Sequence, residues 1–166
     1  MTFVALQPAT SPKARDNAMR TLKKPIKLDY LKKFLSDDDI AKLADIYPDR
    51  KVFVWGVKLE RYPQWEKIIA NVTLVLFRQA DRIVYGAVVT HKLWNEDLAG
   101  YLWGEDDDGE LWSLIYFIRK PKPLDIPASV VSEVAGMDPL WNWQGFIVLS
   151  SPEADAVLQL AADHVK

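Results

Sequence analysis

Two apolar, β-branched runs, Thr73–Arg78 and Arg82–Thr90, face each other across the short polar turn Gln79-Ala80-Asp81. Runs of this composition at this separation predict an antiparallel hairpin, and that commits the chain to a sheet-based fold. Further strands are predicted at Val52–Lys58, Trp112–Arg119 and Trp143–Leu149. Helical signals alternate with them. Ser36 followed by Asp39 forms a capping box, and Ile40, Leu43, Ala44 and Tyr47 repeat at helical spacing, so a helix over Asp37–Ile46 is expected, stopped by Pro48. Pro63 starts a short helix carrying Trp65, Ile68 and Ile69. Asn95 is an N-cap with Glu96 and Asp97 in the first turn, and its helix should reach Trp103. Pro127 and Gly136 frame a helix over Ala128–Ala135, and Ser151-Pro152 open a terminal helix with Ala154, Val157, Leu158 and Ala161 on one face. The first 20 residues, proline-bearing and without a sustained period, read as an arm with a short helical piece, leaving 21–166 as one domain. Five short strands, mostly antiparallel and interleaved with helices, predict an α+β fold built on a small barrel.

With 166 residues, 49% of them hydrophobic, the chain has enough apolar surface for a proper core. It contains no cysteine, which excludes disulfides and thiolate zinc sites. No run approaches 18 apolar residues and no charged-then-apolar leader is visible, so a soluble, cytoplasmic protein without membrane association is expected. The net charge of −2 conceals an uneven distribution. Lys13, Arg15, Arg20, Lys23, Lys24, Lys27, Lys32 and Lys33 oppose only Asp16 and Asp29 near the start, whereas Asn95–Glu110 carries acids and no base. A local basic face suffices for phosphate contacts, although such a run also serves simply to solvate helices.

Catalytic chemistry is scarce. Only His91 and His164 are present, and H-E-x-x-H, G-x-S-x-G and glycine-rich phosphate loops are missing. The acidic run Glu105–Glu110 lacks the spacing of a calcium loop. No catalytic residue, metal or cofactor is therefore expected, and the chain reads as a binding module.

Tryptophan is the residue most in need of explanation. Trp55, Trp65, Trp94, Trp103 and Trp112 fall within one stretch, at strand ends and in loops. Each ring brings a large apolar area and an N–H that needs an acceptor. Such a cluster either builds a core or lines a slot for a flat ligand such as a nucleobase.

The segments RTLKKPIKL from Arg20, FLSDDDIAKLADIYP from Phe34, VWGV from Val54, QWEKI from Gln64 and LVLFRQADRIVYGAVV from Leu74 extend the pattern. NEDLAGYLWG from Asn95, WSLIYFI from Trp112 and QGFIVL from Gln144 complete it. In order and spacing these resemble the EVE/YTH-like branch of the PUA superfamily, specifically the reader domains of modification-dependent (type IV) restriction proteins. The resemblance covers roughly Arg20 to Leu158. One departure is Asn71-Val72, where such domains commonly carry Gly-Asp; it affects a turn.

The resemblance implies a twisted barrel of five to six strands with a base pocket between the first strand and the loop before the Trp112 strand. It implies modified double-stranded DNA as ligand, with the methylated or hydroxymethylated base flipped into the pocket. A nuclease or motor subunit would do the cutting. Trp103 takes the place of a cage residue, with Trp55, Trp65, Trp112 and Tyr116 as further walls or as core. Asn95 and Gln144 are candidates for base-edge contacts, and Lys58, Arg61 and Lys92 for phosphate contacts. Trp141 and Trp143 are expected as packing or rim. Two other readings stay open: an RNA-binding module for methylated RNA or tRNA, and an interaction domain whose tryptophans are all core.

Overall fold

The computed structural model describes residues 2–164. Along them run β1 (Phe3–Pro8), α1 (Pro12–Thr21), β2 (Ile26–Lys27), α2 (Asp37–Ile46), β3 (Lys51–Val57), α3 (Tyr62–Trp65), β4 (Leu74–Gln79) and β5 (Arg82–Trp94). Then follow α4 (Glu96–Leu102), β6 (Leu114–Ile118), β7 (Lys122–Pro127), α5 (Ala128–Val134), β8 (Ile147–Ser150) and α6 (Glu153–Asp163). The predicted hairpin is β4–β5, turning through Ala80 at φ 55°. Ser36 caps α2 by accepting from Asp39 N, and Asn95 caps α4 by accepting from Leu98 N.

Instead of a closed barrel of five to six strands, the eight strands form one open sheet in the order β2-β3-β6-β5-β4-β1-β8, with β7 on β5. β5 is long enough to change neighbours. Its first half pairs with β4 and β7, and beyond the irregularity at Val89/His91 it pairs with β6.

The expected arm is the largest departure. Phe3–Pro8 is an interior strand, parallel to β4 and antiparallel to β8, and residues 12–21 form a capped helix. Val4, Ala5 and Leu6 are buried on both faces, so the segment reads as a short continuous apolar run without the alternation that identifies a half-exposed strand. β7 was hidden for another reason. It holds Pro123 and Pro127, which a strand paired on one side only can carry.

Asn71 sits in the turn before β4 at φ 65°, a left-handed conformation that Asn tolerates better than most residues, and its N–H donates to Val89 O. The departure from Gly-Asp leaves the fold intact.

Side chains of β6 alternate between two apolar clusters. Leu114, Tyr116 and Ile118 face an inner cluster with Trp55, Phe77 and Phe146, while Ile115 and Phe117 face α2 and α4. A third cluster seats α5 and α6 against the outer side of β1 and β4. α1 covers the inner cluster through Ala14, Ala18 and the following Leu22. No described helix is long and apolar enough to cross a membrane.

Candidate functional site

Because the sheet does not close, the C-terminal end of β3 and the start of β8 leave a gap. β8 is bonded to β1 only, and its Val148 N–H donates to the Gln64 side chain of α3 instead of to another strand. A cavity of about 500 Å³ opens in this gap, bounded by β3 and Lys58, by Gln7 and Pro8 at the end of β1, and by the loop Asn142–Phe146. Its volume lies in the range of small-ligand sites.

Four rings line it: Trp55, Trp112, Trp143 and Phe146. Trp112 is partly exposed, and the others show only an edge. Trp55 is 3% exposed, and its Nε1 has no acceptor among the described residues. An orphaned buried donor costs about 1–3 kcal/mol, so this one is a feature to be explained. Gly56 makes the arrangement possible, since a Cβ there would stand 2.6 Å from the Trp103 ring and 2.5 Å from Trp112 O.

The loop before β8 is held under strain. Trp143 has φ 52°, a left-handed conformation rarely adopted by a bulky residue. Its ring is buried, Nε1 donates to Ser132 Oγ at 2.9 Å, and the Arg78 guanidinium lies 5.3 Å above it. These contacts present Gln144, Gly145 and Phe146 to the cavity. Arg61 lies across Gly145, so close that any side chain there would collide with the guanidinium, and it donates to Gln144 O at 3.2 Å.

Gln7 brings a buried amide to the wall. The Tyr116 hydroxyl donates to Gln7 Oε1 at 2.9 Å, while Gln7 Nε2 donates to Pro8 O. Burial pushes the Tyr116 phenol well above its ordinary value, so it remains a donor. Gln7 thus keeps one N–H and one lone pair uncommitted.

The cations of the cavity are engaged. Lys58 pairs with Asp106, and that bond raises the lysine pKa and lowers the carboxylate's. Lys58 and Lys13 ammonium groups lie 5.7 and 5.9 Å from the Trp112 ring centre. Arg78 donates to Ala80 O and Trp141 O.

Of the predicted site residues, the cavity collects Trp55, Trp112, Gln144, Lys58 and Arg61. The rest stand elsewhere. Trp103 is 2% exposed, edge-on to Trp55 and bonded through Nε1 to Thr21 Oγ1, so it packs behind the cavity wall. Tyr116 is core and acts beneath Gln7. Trp65 is buried and donates to Ile115 O at 3.3 Å. Asn95 is spent on the α4 cap and on Phe34 O. Lys92 lies 4.8 Å over Trp65 and donates to Trp65 O and Glu66 O, away from the cavity.

Sequence reasoning missed Gln7, Arg78, Asn142 and Phe146 as wall residues, and had Trp143 as packing or rim. Phe146 stood within the quoted QGFIVL segment, whereas Gln7 was lost with β1. Asp106, Asp108 and Glu110 hold carboxylates within 4.8 Å of one another, but Asp106 is taken by Lys58 and by the N–H groups of Asp108 and Glu110.

No family model matches the sequence, and no curated protein matches it. Two solved structures share the fold. The N-terminal domain of Thermococcus gammatolerans McrB, bound to m5C DNA, aligns at TM-score 0.70 and 16% identity over 96% of this chain and 97% of that one. The YTH domain of the Zygosaccharomyces rouxii MRB1 protein, in complex with N6-methyladenosine RNA, aligns at TM-score 0.56 and 11% identity over 96% and 86%. The chain therefore shares the fold of these two domains, in both cases across nearly its whole length.

Proposed function

We propose that this chain reads a modified base in DNA, accepting it flipped out of the duplex into the cavity between β3 and β8. The carrying observation is the cavity itself: a gap in the sheet walled by four rings, with the amides Gln7 and Gln144 at its edge. Extracting a base costs a few kcal/mol, and each stacking contact returns about 1–3 kcal/mol. Trp112 offers the most accessible ring, and Arg61 offers a guanidinium plane above Gly145. The orphaned Trp55 N–H and the uncommitted groups of Gln7 are suited to hydrogen-bonding a base edge. Lys58 and Arg61 would contact flanking phosphates, with Lys92 too far engaged with α3 to join them.

DNA ranks ahead of RNA because the neighbour aligned at the higher TM-score is the one bound to m5C DNA. The setting we propose is a modification-dependent restriction system, in which this chain supplies specificity and a separate nuclease or motor supplies cleavage.

Fluorescence anisotropy with matched duplexes tests this, using cytosine, 5-methylcytosine, 5-hydroxymethylcytosine and N6-methyladenine at one position, together with the RNA counterparts. A preference for at least one modified duplex of about tenfold or more is expected, corresponding to about 1.4 kcal/mol. Equal affinity across the DNA series would refute the reading, and preference confined to methylated RNA would replace it with the RNA alternative. Incubating the pure chain with modified plasmid and Mg²⁺ should leave the plasmid intact.

A further inference from the structure

A second concavity of about 900 Å³ lies at the opposite, N-terminal end of β3. Lys23, Lys24, Lys51, Arg119 and Lys120 line it, with Asp49 as the single acid. All five cations are exposed, and none is drawn into an ion pair among the described residues. Half-buried Phe53 and Tyr85 stand between them. Tyr47 closes the floor, its hydroxyl donating to Ile118 O at 2.6 Å and pushed up to about 12 by burial, so it stays neutral.

The basic segment at the start of the chain divides here. Lys13 is bonded to Trp103 O, Arg15 to Thr10 O, Arg20 lies beside Asp16, and Lys32 pairs with Asp29. Lys27 lies over the Tyr30 ring and Lys33 over the Phe34 ring, both outside the groove. Lys23 and Lys24, directly past the C-terminal end of α1, have no such contact among the described residues, and they meet Arg119 and Lys120 from the turn after β6.

Five like charges gathered beside one acid, with no ion pair among the described residues, repel one another, and an anionic partner relieves that repulsion. Clustered lysines and arginines are the chemistry that grips a sugar-phosphate backbone. The placement agrees. Ser11 and Ala14 of the α1 start line the base cavity, and Leu22 past its end lines this groove. The two mouths are therefore one helix length apart, about 15 Å for ten residues.

We infer that this groove binds the phosphodiester backbone of the nucleic acid, as an anchoring site separate from the base cavity. The inference rests on the proposed function only for the partner being a nucleic acid. Groove contacts to phosphate carry no sequence or modification information, so they set affinity and leave discrimination to the cavity.

The test compares wild type with the triple variant Lys23→Gln, Arg119→Gln, Lys120→Gln. A control triple, Lys32→Gln, Lys33→Gln, Lys42→Gln, removes equal charge outside both concavities. Affinities for modified and unmodified duplexes are titrated against salt, and melting temperatures are checked. The groove variant should melt like wild type and lose about tenfold or more on both duplexes near 0.1 M salt. Its slope of log K against log salt should flatten by about two to three units, with the modified-to-unmodified ratio unchanged. An affinity and slope equal to wild type, or a loss matched by the control triple, would overturn the groove. Failure of the base-reading proposal looks different: the wild type would bind both duplexes equally, and the groove effect on unmodified DNA would still be measured.

Discussion

The two ends of β3 make opposite use of charge. At its C-terminal end the cavity holds Lys58, Arg61 and Arg78, and each already has a partner in Asp106, Gln144 O, or Ala80 O and Trp141 O. At its N-terminal end the groove holds five cations that form no ion pair among the described residues. Cations held in place by an ion pair or by carbonyl oxygens over aromatic walls suit recognition of shape and hydrogen-bonding pattern, and uncommitted charge attracts any polyanion. Under the proposed function, this arrangement separates what is recognised from how firmly it is held.

The largest expected effect concerns a residue belonging to neither end. Trp103→Ala should destabilise the protein by about 3–5 kcal/mol, because it removes a buried ring and the donor to the Thr21 hydroxyl, which keeps only its own bond to Asn17 O. Urea denaturation checks this, and a melting temperature near wild type would return Trp103 to the cavity. Next comes Trp112→Ala. The ring is only partly buried, so stability should change little while affinity for the preferred modified duplex falls by about tenfold to a hundredfold. Equal losses on unmodified DNA would erase the contrast between the two ends.

Gln7→Leu keeps bulk but leaves the Tyr116 hydroxyl without its acceptor, at a cost of about 1–3 kcal/mol in stability. It should also narrow discrimination, and discrimination unchanged in the folded variant would remove Gln7 from the base edge. The smallest effect is expected from Asp106→Asn, which frees Lys58. Binding to unmodified duplex should strengthen by about two- to fivefold, with the salt slope steepening by about one unit. Acid should mimic it. The bond to Lys58 holds the Asp106 carboxyl below the ordinary carboxylate range, so the pair persists from neutral pH down through that range and Lys58 is released only below it. Weaker binding by the Asn variant would show that the pair, not the free lysine, serves the ligand.

The regions legible in the sequence were those with local signals. The capped helix α2, the β4–β5 hairpin and the proline-glycine frame of α5 each declare themselves within one short continuous segment. The cavity is assembled otherwise. Gln7 and Phe146 are joined through a strand buried on both faces, and the loop before β8 takes its shape from a tertiary bond between Trp143 and Ser132. Trp103 misled because its place at the end of α4, beside an acidic loop, resembles a surface position. Its burial follows from α1, which packs against α4 and supplies Thr21. Lys92 misled because a strand end can lie near a mouth in sequence and still be claimed by a neighbouring helix.

The interior seat of β1 has a consequence for how the protein comes into being. Its parallel partner β4 begins at Leu74 and its antiparallel partner β8 at Ile147, so β1 must wait for strands that leave the ribosome much later than it does. Contacts this distant in sequence are slow to form, because loop closure precedes their reward. During translation Phe3–Pro8 would remain an unpaired apolar edge, the kind of segment chaperones hold. Gln7 lies on that strand, so the wall of the cavity is completed only when β1 and β8 have met.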